Sequence, residues 1–212
     1  MHFFDKNFIS IVDCDETKLK TKNSLRQFYL EQIDPTANIE PGTYSYNWPV
    51  WGTRDPIKIK EKNKAFCDQW CDSEYFTNIE PYEGSLEAIK YLHSLGPVYV
   101  LTSITTKPHQ IKRRKDFLAQ LYENKFTDII CLGLGESKKE ALRKLGGHAF
   151  FDDSPQFVNE AISVGTPGIW VNHENVTDRP DKEPLNPDAY QMTHWKQAEM
   201  IVDTIRRIKK IK

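Results

Sequence analysis

The chain has 212 residues, with 29 basic and 30 acidic side chains and a formal net charge of −1 at pH 7. This balance excludes a global electrostatic preference for nucleic acid or for an anionic membrane surface. A chain of this length buries about 70% of its unfolded surface, which is enough for one sizeable core and a small additional subdomain.

No apolar run approaches the roughly 18 residues that span a bilayer, and the N-terminus has no basic start before an apolar segment. Four cysteines are too few for a disulfide framework, and Cys67 and Cys71 lack the spacing of a CxxC site. We therefore expect a cytoplasmic protein with reduced, mostly buried thiols, and the sequence leaves its oligomeric state open.

The first predicted strand covers residues 8–12 (FISIV), which are β-branched and almost wholly apolar. Asp13 and Asp15 follow it directly. Because side chains alternate along an extended backbone, the two carboxylates can face the same crevice at the carboxyl end of the strand. A polar turn that starts a helix is the alternative explanation of this pattern.

A small helical insert is predicted over residues 21–82. Ser24 and Gln27 form a capping-box pattern at the start of one helix, and Asp55-Pro56 begins another helix that ends near Cys71. Between the two helices, residues 34–55 are rich in proline, glycine and aromatic residues, a composition typical of neither helix nor strand.

Beyond the insert, strands and helices alternate along the chain. Strands are predicted at residues 98–103, 128–132, 148–151 and 168–172, helices start near Ser85, His109, Ser137, Ser154 and His194, and residues 173–190 form a loop. The alternation predicts an α/β fold with a parallel sheet of about five strands, covered by helices on both faces and joined by right-handed crossovers.

Polar residues follow three of these strands, and parallel strands bring their carboxyl ends to one edge of the sheet. Four carboxylates meeting there could not all stay ionised without a cation. Oxygen ligands without a nearby histidine or cysteine favour Mg²⁺. The residues concerned are Asp13 and Asp15, Thr102 and Ser103, and Asp152 and Asp153.

This set of residues suits phosphoryl transfer. Asp13 could attack phosphorus as a nucleophile, and Asp15 could protonate the leaving oxygen and later accept a proton from water. Thr102 and Ser103 offer hydroxyl and backbone donors to the phosphoryl oxygens. Helix N-caps are the alternative role for Thr102-Ser103 and for Asp152-Asp153.

A cation should complete the site, and Lys115 is its predicted source. It shares a helix flank with Ile111, Leu118 and Tyr122, whereas Lys112, Arg113 and Arg114 can point to solvent. A lysine at the edge of an apolar flank can also extend its ammonium to water, which is the structural alternative.

At these residues the sequence resembles the haloacid dehalogenase (HAD) superfamily of phosphohydrolases. The likeness rests on Asp13-Cys14-Asp15-Glu16-Thr17 for its DxDx[TV] motif, Thr102 for its hydroxyl motif, Lys115 for its lysine and Asp152-Asp153 for its acidic motif. The resemblance implies a Rossmann-like core, Mg²⁺ held by Asp13, the Asp15 carbonyl and Asp152, and Asp153 in a supporting position beside them. Lys138 and Lys139 are alternative sources of the lysine.

Within the superfamily the chain is most similar to the 5'(3')-deoxyribonucleotidases, through the stretch from Trp70 to Gly84. This resemblance implies a core of residues 1–20 and 83–212 and a helical cap at 21–82. The cap would supply Trp48, Trp51 and Trp70 to stack on a nucleobase, a contact that contributes about 1–3 kcal/mol per base. Aromatic packing within the cap is the alternative role for Trp70.

The sequence therefore predicts a Mg²⁺-dependent phosphatase of (deoxy)nucleoside monophosphates. The alternative is a HAD phosphatase of another substrate class, such as a sugar phosphate, a nucleic-acid 3'-phosphate or a phosphoprotein. A non-catalytic phospho-receiver fits less well, because a receiver has its second conserved acidic position before its threonine and lysine, whereas here Asp152-Asp153 comes after both.

Overall fold

A computed structural model describes residues 8–39, 55–173 and 183–211 of the chain. Its strands are β1 (Ser10–Val12), β2 (Val98–Ser103), β3 (Asp128–Leu132), β4 (Ala149–Asp152), β5 (Gly168–Val171) and β6 (Tyr190–Met192). Its helices are α1 (Thr21–Gln32), α2 (Pro56–Asp72), α3 (Ser85–Leu95), α4 (Pro108–Leu121), α5 (Lys139–Leu145), α6 (Pro155–Ser163) and α7 (Ala198–Lys209).

The six strands form one parallel sheet in the order β3-β2-β1-β4-β5-β6. The first strand lies between β2 and β4, so that Ile11 aligns with Tyr99 on one side and with Phe150 on the other. The chain therefore reverses its direction of winding at β1, and open α/β sheets bind ligands beside such a point.

The predicted α/β fold with a parallel sheet is confirmed, and one element was missed. The sheet has a sixth strand, Tyr190–Met192, at the end of the region predicted as a loop. Three residues with one buried side chain carry too weak an alternation to be recognised from sequence. Tertiary pairing with β5 defines this edge strand.

Between β1 and α3 the structure describes α1, α2 and a 3-10 turn at Glu74–Thr77. We call these elements the helical insert. The first helix starts at Thr21 and not at the predicted capping box, because the Ser24 hydroxyl donates to the Tyr75 carbonyl instead of capping a helix. Asp55 caps α2 as expected, with its carboxylate accepting from the Ile57 N–H.

Two apolar clusters cover the sheet. The larger cluster includes Val12, Val100 and Phe151 together with residues of α3, α7 and the helical insert. The smaller one includes Ile11, Leu101 and Phe150 with residues of α5 and α6. Adjacent residues on one strand thus enter opposite clusters, as a strand buried on both faces requires. Among the described helices, none combines the length and apolar character needed to cross a membrane.

We expect Gly168→Ala to destabilise the fold. A Cβ at Gly168 would lie 2.8 Å from the Val158 carbonyl oxygen, so α6 would have to move away from β5. The free energy of unfolding in urea should fall by roughly 1–3 kcal/mol.

Gly133→Ala is the matched control, since the three atoms nearest its Cβ all belong to the flexible side chain of Glu136, which can move aside. Its change in unfolding free energy should stay within about 0.5 kcal/mol. Equal losses in the two variants would contradict the close approach of α6 to β5.

Candidate functional site

Three loops meet at the carboxyl edge of the sheet because β1 is paired on both sides. Asp13 follows β1, Thr102 lies near the end of β2, and Asp152 ends β4. The Asp13 N–H donates to the Phe151 carbonyl at 2.8 Å, which extends the ladder up to the site. The strand order thus brings together residues that are far apart in sequence.

The centre of the site is a cluster of three carboxylates. Oxygen atoms of Asp13, Asp152 and Asp153 all lie within 4.8 Å of one another. Asp13 and Asp152 are buried, with 5% and 1% of their surface exposed. Burial, with Asp13 and Asp153 nearby, raises the pKa of Asp152 well above its ordinary value, although Lys138 opposes the shift.

The cation beside these carboxylates is Lys138. Its Nζ donates to Asp13 Oδ1 at 2.5 Å and to Asp152 Oδ2 at 2.7 Å, and only 1% of the residue is exposed. Burial disfavours its charge, but Asp13 and Asp152 outweigh burial and raise the pKa of the ammonium above its usual value. Lys138 contacts two of the three carboxylates, and its single charge is smaller than theirs together, so the cluster can accept a further cation.

Lys115, the predicted phosphate lysine, lies elsewhere. Its Nζ pairs with Asp128 at the start of β3 at 3.1 Å, and 42% of its side chain is exposed. The carboxylate cluster lies at the opposite, carboxyl end of the sheet, so the structure does not bring Lys115 to it. Lys138, which the sequence left as an alternative, occupies that position, whereas Lys139 is exposed at the start of α5.

Both oxygens of Asp13 accept hydrogen bonds. Thr17 donates to Oδ2 at 3.1 Å, while Oδ1 faces Lys138. The Thr17 hydroxyl also accepts from the Asp153 N–H at 3.1 Å, so it connects the loop after β1 with the loop after β4. The Asp13 carbonyl accepts from the buried Lys18 ammonium at 3.0 Å. The carboxylate is therefore held in one orientation.

Asp15 points away from the carboxylate cluster toward α1, α4 and the end of β2. Its Oδ1 accepts from the Thr21 hydroxyl at 2.6 Å and from Arg114 Nη2 at 3.2 Å, and its Oδ2 accepts from the Thr102 hydroxyl at 3.2 Å. The structure thus places Thr102 next to Asp15. The Ser103 hydroxyl instead donates to the Glu136 carbonyl at 3.0 Å.

Arg114 is a residue of the site that the sequence interpretation assigned to solvent. It is fully buried, and the inward positions of α4 are Gln110, Arg114 and Leu118. The inward face of α4 thus keeps Leu118 of the predicted flank but has Gln110 and Arg114 in place of Ile111 and Lys115, a rotation smaller than the roughly 100° of one residue. The four-residue spacing of Gln110, Arg114 and Leu118 could have indicated this face, but two of the three are polar.

Glu16 has a left-handed backbone with φ 56° and lies in the loop after β1, in contact with the start of the helical insert. Its carboxylate accepts from the Lys22 N–H at 2.6 Å and from the Tyr82 hydroxyl at 3.1 Å. Burial raises the pKa of Glu16 to about 7, and Asp153 adds to the shift while Lys22 and Tyr82 oppose it. No sequence pattern indicated that this acid would be buried.

Of the three tryptophans predicted to stack on a nucleobase, the described residues include Trp70. Trp48 and Trp51 lie outside the described residues. Trp70 is 1% exposed, its indole N–H donates to the Ser24 hydroxyl at 3.0 Å, and its ring meets Phe76 edge to face. In this structure the Trp70 ring packs inside the helical insert and offers no face to a base.

Comparison with known proteins adds information about the fold. A scan against protein-family models gives no match. No curated protein matches the sequence. Solved structures do match, among them a haloacid dehalogenase-like hydrolase from Streptococcus pneumoniae, which is 10% identical at a TM-score of 0.64, with 92% of this chain and 98% of that chain covered.

The chain has the fold of the HAD hydrolases. A HAD hydrolase from Bacillus subtilis with bound magnesium matches at a TM-score of 0.61 and 14% identity, over 92% of this chain and 98% of that one. A HAD phosphatase from Thermococcus onnurineus matches at a TM-score of 0.57 and 15% identity, over 92% of this chain and 97% of that one. At these identities the likeness establishes the HAD fold, and the activity has to be argued from the site.

We expect Lys138→Met to destabilise the protein when divalent ions are removed with EDTA. The substitution leaves Asp13 and Asp152 buried without the ammonium, and breaking a buried pair in this way costs roughly 3–5 kcal/mol. Urea unfolding measures the loss.

Lys115→Met is the matched control, because the pair with Asp128 is exposed and exposed pairs contribute roughly 0–1 kcal/mol. A loss in Lys138→Met as small as that in Lys115→Met would show that Lys138 does not neutralise the cluster.

Proposed function

We propose that this protein is a Mg²⁺-dependent phosphomonoester hydrolase that works through an aspartyl-phosphate on Asp13. The observation that carries the proposal is the position of Asp13 between Lys138 and Thr17, within 4.8 Å of two further carboxylates. A nucleophilic carboxylate needs a fixed orientation and a positive environment for the incoming phosphoryl group. The HAD fold is consistent with this chemistry.

In the first step, an Asp13 oxygen forms a bond to phosphorus and the bond from phosphorus to the ester oxygen breaks. The Asp15 carboxyl gives its proton to the leaving oxygen, so that an alcohol departs. Lys138 holds Asp13 in place and offers a positive charge beside the phosphoryl oxygens. Thr102 reaches the same region through its hydrogen bond to Asp15.

In the second step, water attacks the aspartyl-phosphate and gives its proton to the Asp15 carboxylate. The acyl phosphate bond to phosphorus breaks, inorganic phosphate leaves, and the Asp13 carboxylate is restored. Asp15 thus exchanges the role of acid for that of base between the steps. Its side chain is separate from the carboxylate cluster, as this division of roles requires.

The residues present fit a hard divalent cation. Asp13, Asp152 and Asp153 supply only carboxylate oxygens, which suit Mg²⁺, and their charge exceeds that of Lys138. Asp13 and Asp152 would hold the ion with the backbone carbonyl of Asp15, and Asp153 would either support Asp152 or join the ligands. When bound, the ion would neutralise phosphoryl charge. It would also share Asp13 and Asp152 with Lys138.

Nucleoside monophosphates are our proposed substrate class. The proposal is supported by the likeness of residues 70–84 to the 5'(3')-deoxyribonucleotidases and by the aromatic composition of residues 44–51. We further propose that residues 21–82 act as a cap over the site, since Thr21 at the start of α1 donates to Asp15. A cap would favour small substrates over folded phosphoproteins. A cytoplasmic location remains a prediction from the sequence.

Asp13→Asn should abolish phosphate release from all substrates while the protein stays folded, because an amide cannot serve as the nucleophile. Phosphate release and circular dichroism measure the two effects. Asp116→Asn is the control, since Asp116 is an exposed partner of Lys112 and should leave turnover unchanged. Appreciable phosphate release by folded Asp13→Asn would exclude Asp13 as the nucleophile.

The substrate class can be tested with a panel of mononucleotides, sugar phosphates, a phosphopeptide and a 3'-phosphorylated oligonucleotide. We expect mononucleotides to be among the best substrates, EDTA to stop the reaction, and added Mg²⁺ to restore it. If another class is clearly preferred, the nucleotidase proposal falls while the phosphatase proposal stands. Full activity in EDTA would argue against the metal.

A further inference from the structure

The buried arginine Arg114 joins α4 to two other parts of the protein. Arg114 Nη2 donates to Asp15 Oδ1 at 3.2 Å, and Nη1 lies 3.5 Å from Cys14 Sγ. Its guanidinium lies over the Phe76 ring, with Cζ 4.0 Å from the ring centroid, and within 5.8 Å of the Trp70 centroid. Arg114 therefore contacts the loop after β1 and the aromatic core of the helical insert at once.

Packing alone does not explain a charged residue at this position. Burying a guanidinium costs several kcal/mol, and a leucine or methionine would fill the same space without that cost. Asp15 is not the reason for the burial, because 16% of its own side chain is exposed and water could solvate it. Arg114 Nε also has no hydrogen-bond partner among the described residues, so the arginine's own polar groups are incompletely satisfied.

The contacts of Asp15 indicate what the arginine does. Among the described residues, Oδ1 accepts from Thr21 and Arg114, and Oδ2 accepts from Thr102. A guanidinium can only donate, so Arg114 holds Oδ1 as an acceptor, whereas the Thr102 hydroxyl beside Oδ2 can also turn to accept, which leaves Oδ2 able to carry a proton. Oδ2 is also the oxygen on the side of β2, where the hydroxyl motif lies. The arginine thus fixes which oxygen of Asp15 handles the proton.

We propose that Arg114 is a positioning residue that holds Asp15 by Oδ1 and directs Oδ2 toward the leaving oxygen of the substrate. This inference rests on the proposed phosphatase function. It also ties proton transfer to the helical insert, because Phe76 packs on the guanidinium and Thr21 shares the same carboxylate oxygen. A displaced insert would loosen Asp15 while leaving Asp13 held by Lys138 and Thr17.

The dependence on the leaving group tests the proposal. Hydrolysis of ethyl phosphate needs a proton at the leaving oxygen, whereas 4-nitrophenyl phosphate releases a stable anion that needs none. General acid catalysis contributes about 10²–10⁴-fold in rate, so Arg114→Met should lower kcat/KM for ethyl phosphate by about tenfold or more. For 4-nitrophenyl phosphate the change should stay within about threefold, as expected when proton donation contributes little.

Arg113→Met is the matched control on the same helix. Arg113 donates to the Cys71 and Ser73 carbonyls of the helical insert and makes no contact with Asp15. Loosening the insert through Arg113 should change kcat/KM for the two esters by a similar factor. Arg114→Lys keeps the positive charge but loses the planar guanidinium. It should lower the ratio of kcat/KM for ethyl phosphate to kcat/KM for 4-nitrophenyl phosphate less than Arg114→Met does.

Each outcome has a separate meaning. If the wild-type protein releases phosphate from neither ester and from no mononucleotide, the proposed function fails and this inference fails with it. If only mononucleotides react, Arg114→Met should lower their kcat/KM by about tenfold or more, because their leaving group is also an alcohol, and a smaller loss would overturn the inference. If the wild-type protein hydrolyses both esters and Arg114→Met lowers both equally, the phosphatase proposal stands and the positioning role is overturned. Should Arg114→Met not fold, Arg114→Lys decides alone, and an unchanged ratio of the two kcat/KM values would overturn the proposal.

Discussion

The pairing of β1 with strands on both sides is the constraint on which the site depends. It places the ends of β1 and β4 side by side, so that Asp13 and Asp152 come within reach of one lysine. Two buried carboxylates at this distance require a cation, and within the described part of the chain the Lys138 ammonium contacts both of them. The negative charge of the carboxylates that Lys138 does not neutralise makes this edge of the sheet suited to a divalent ion. An anionic substrate could then bind together with that ion.

The two aspartates after β1 differ because their surroundings differ. Asp13 lies among groups of the core, with Lys138 and Thr17 on its oxygens. Asp15 lies where the core meets the helical insert and accepts from Thr21, Thr102 and Arg114. One is held as a nucleophile would be, and the other as a group that must give and take a proton. In the proposed mechanism these different surroundings give the two identical side chains distinct roles.

The helical insert is joined to the core by polar contacts along α4 as well as by packing. Gln110 is buried and donates to Asp72, and Arg113 donates to two carbonyls at the end of α2. Arg114 lies on the same helix, next to Arg113 and one turn from Gln110. If Asp15 transfers the proton as proposed, the position of the insert therefore affects the geometry of that transfer.

The sequence by itself determined the parallel α/β fold, through the alternation of apolar strands with helices, and it marked the acidic and hydroxyl-bearing strand ends that meet at one edge. These features are local, since each depends on residues adjacent in the chain. Only the tertiary structure decided that Lys138 and not Lys115 meets the carboxylates, that Arg114 is buried against Asp15, and that Trp70 is enclosed. Neighbouring residues of a helix point about 100° apart, so contacts with distant elements decide which of two neighbours, such as Arg114 and Lys115, points inward.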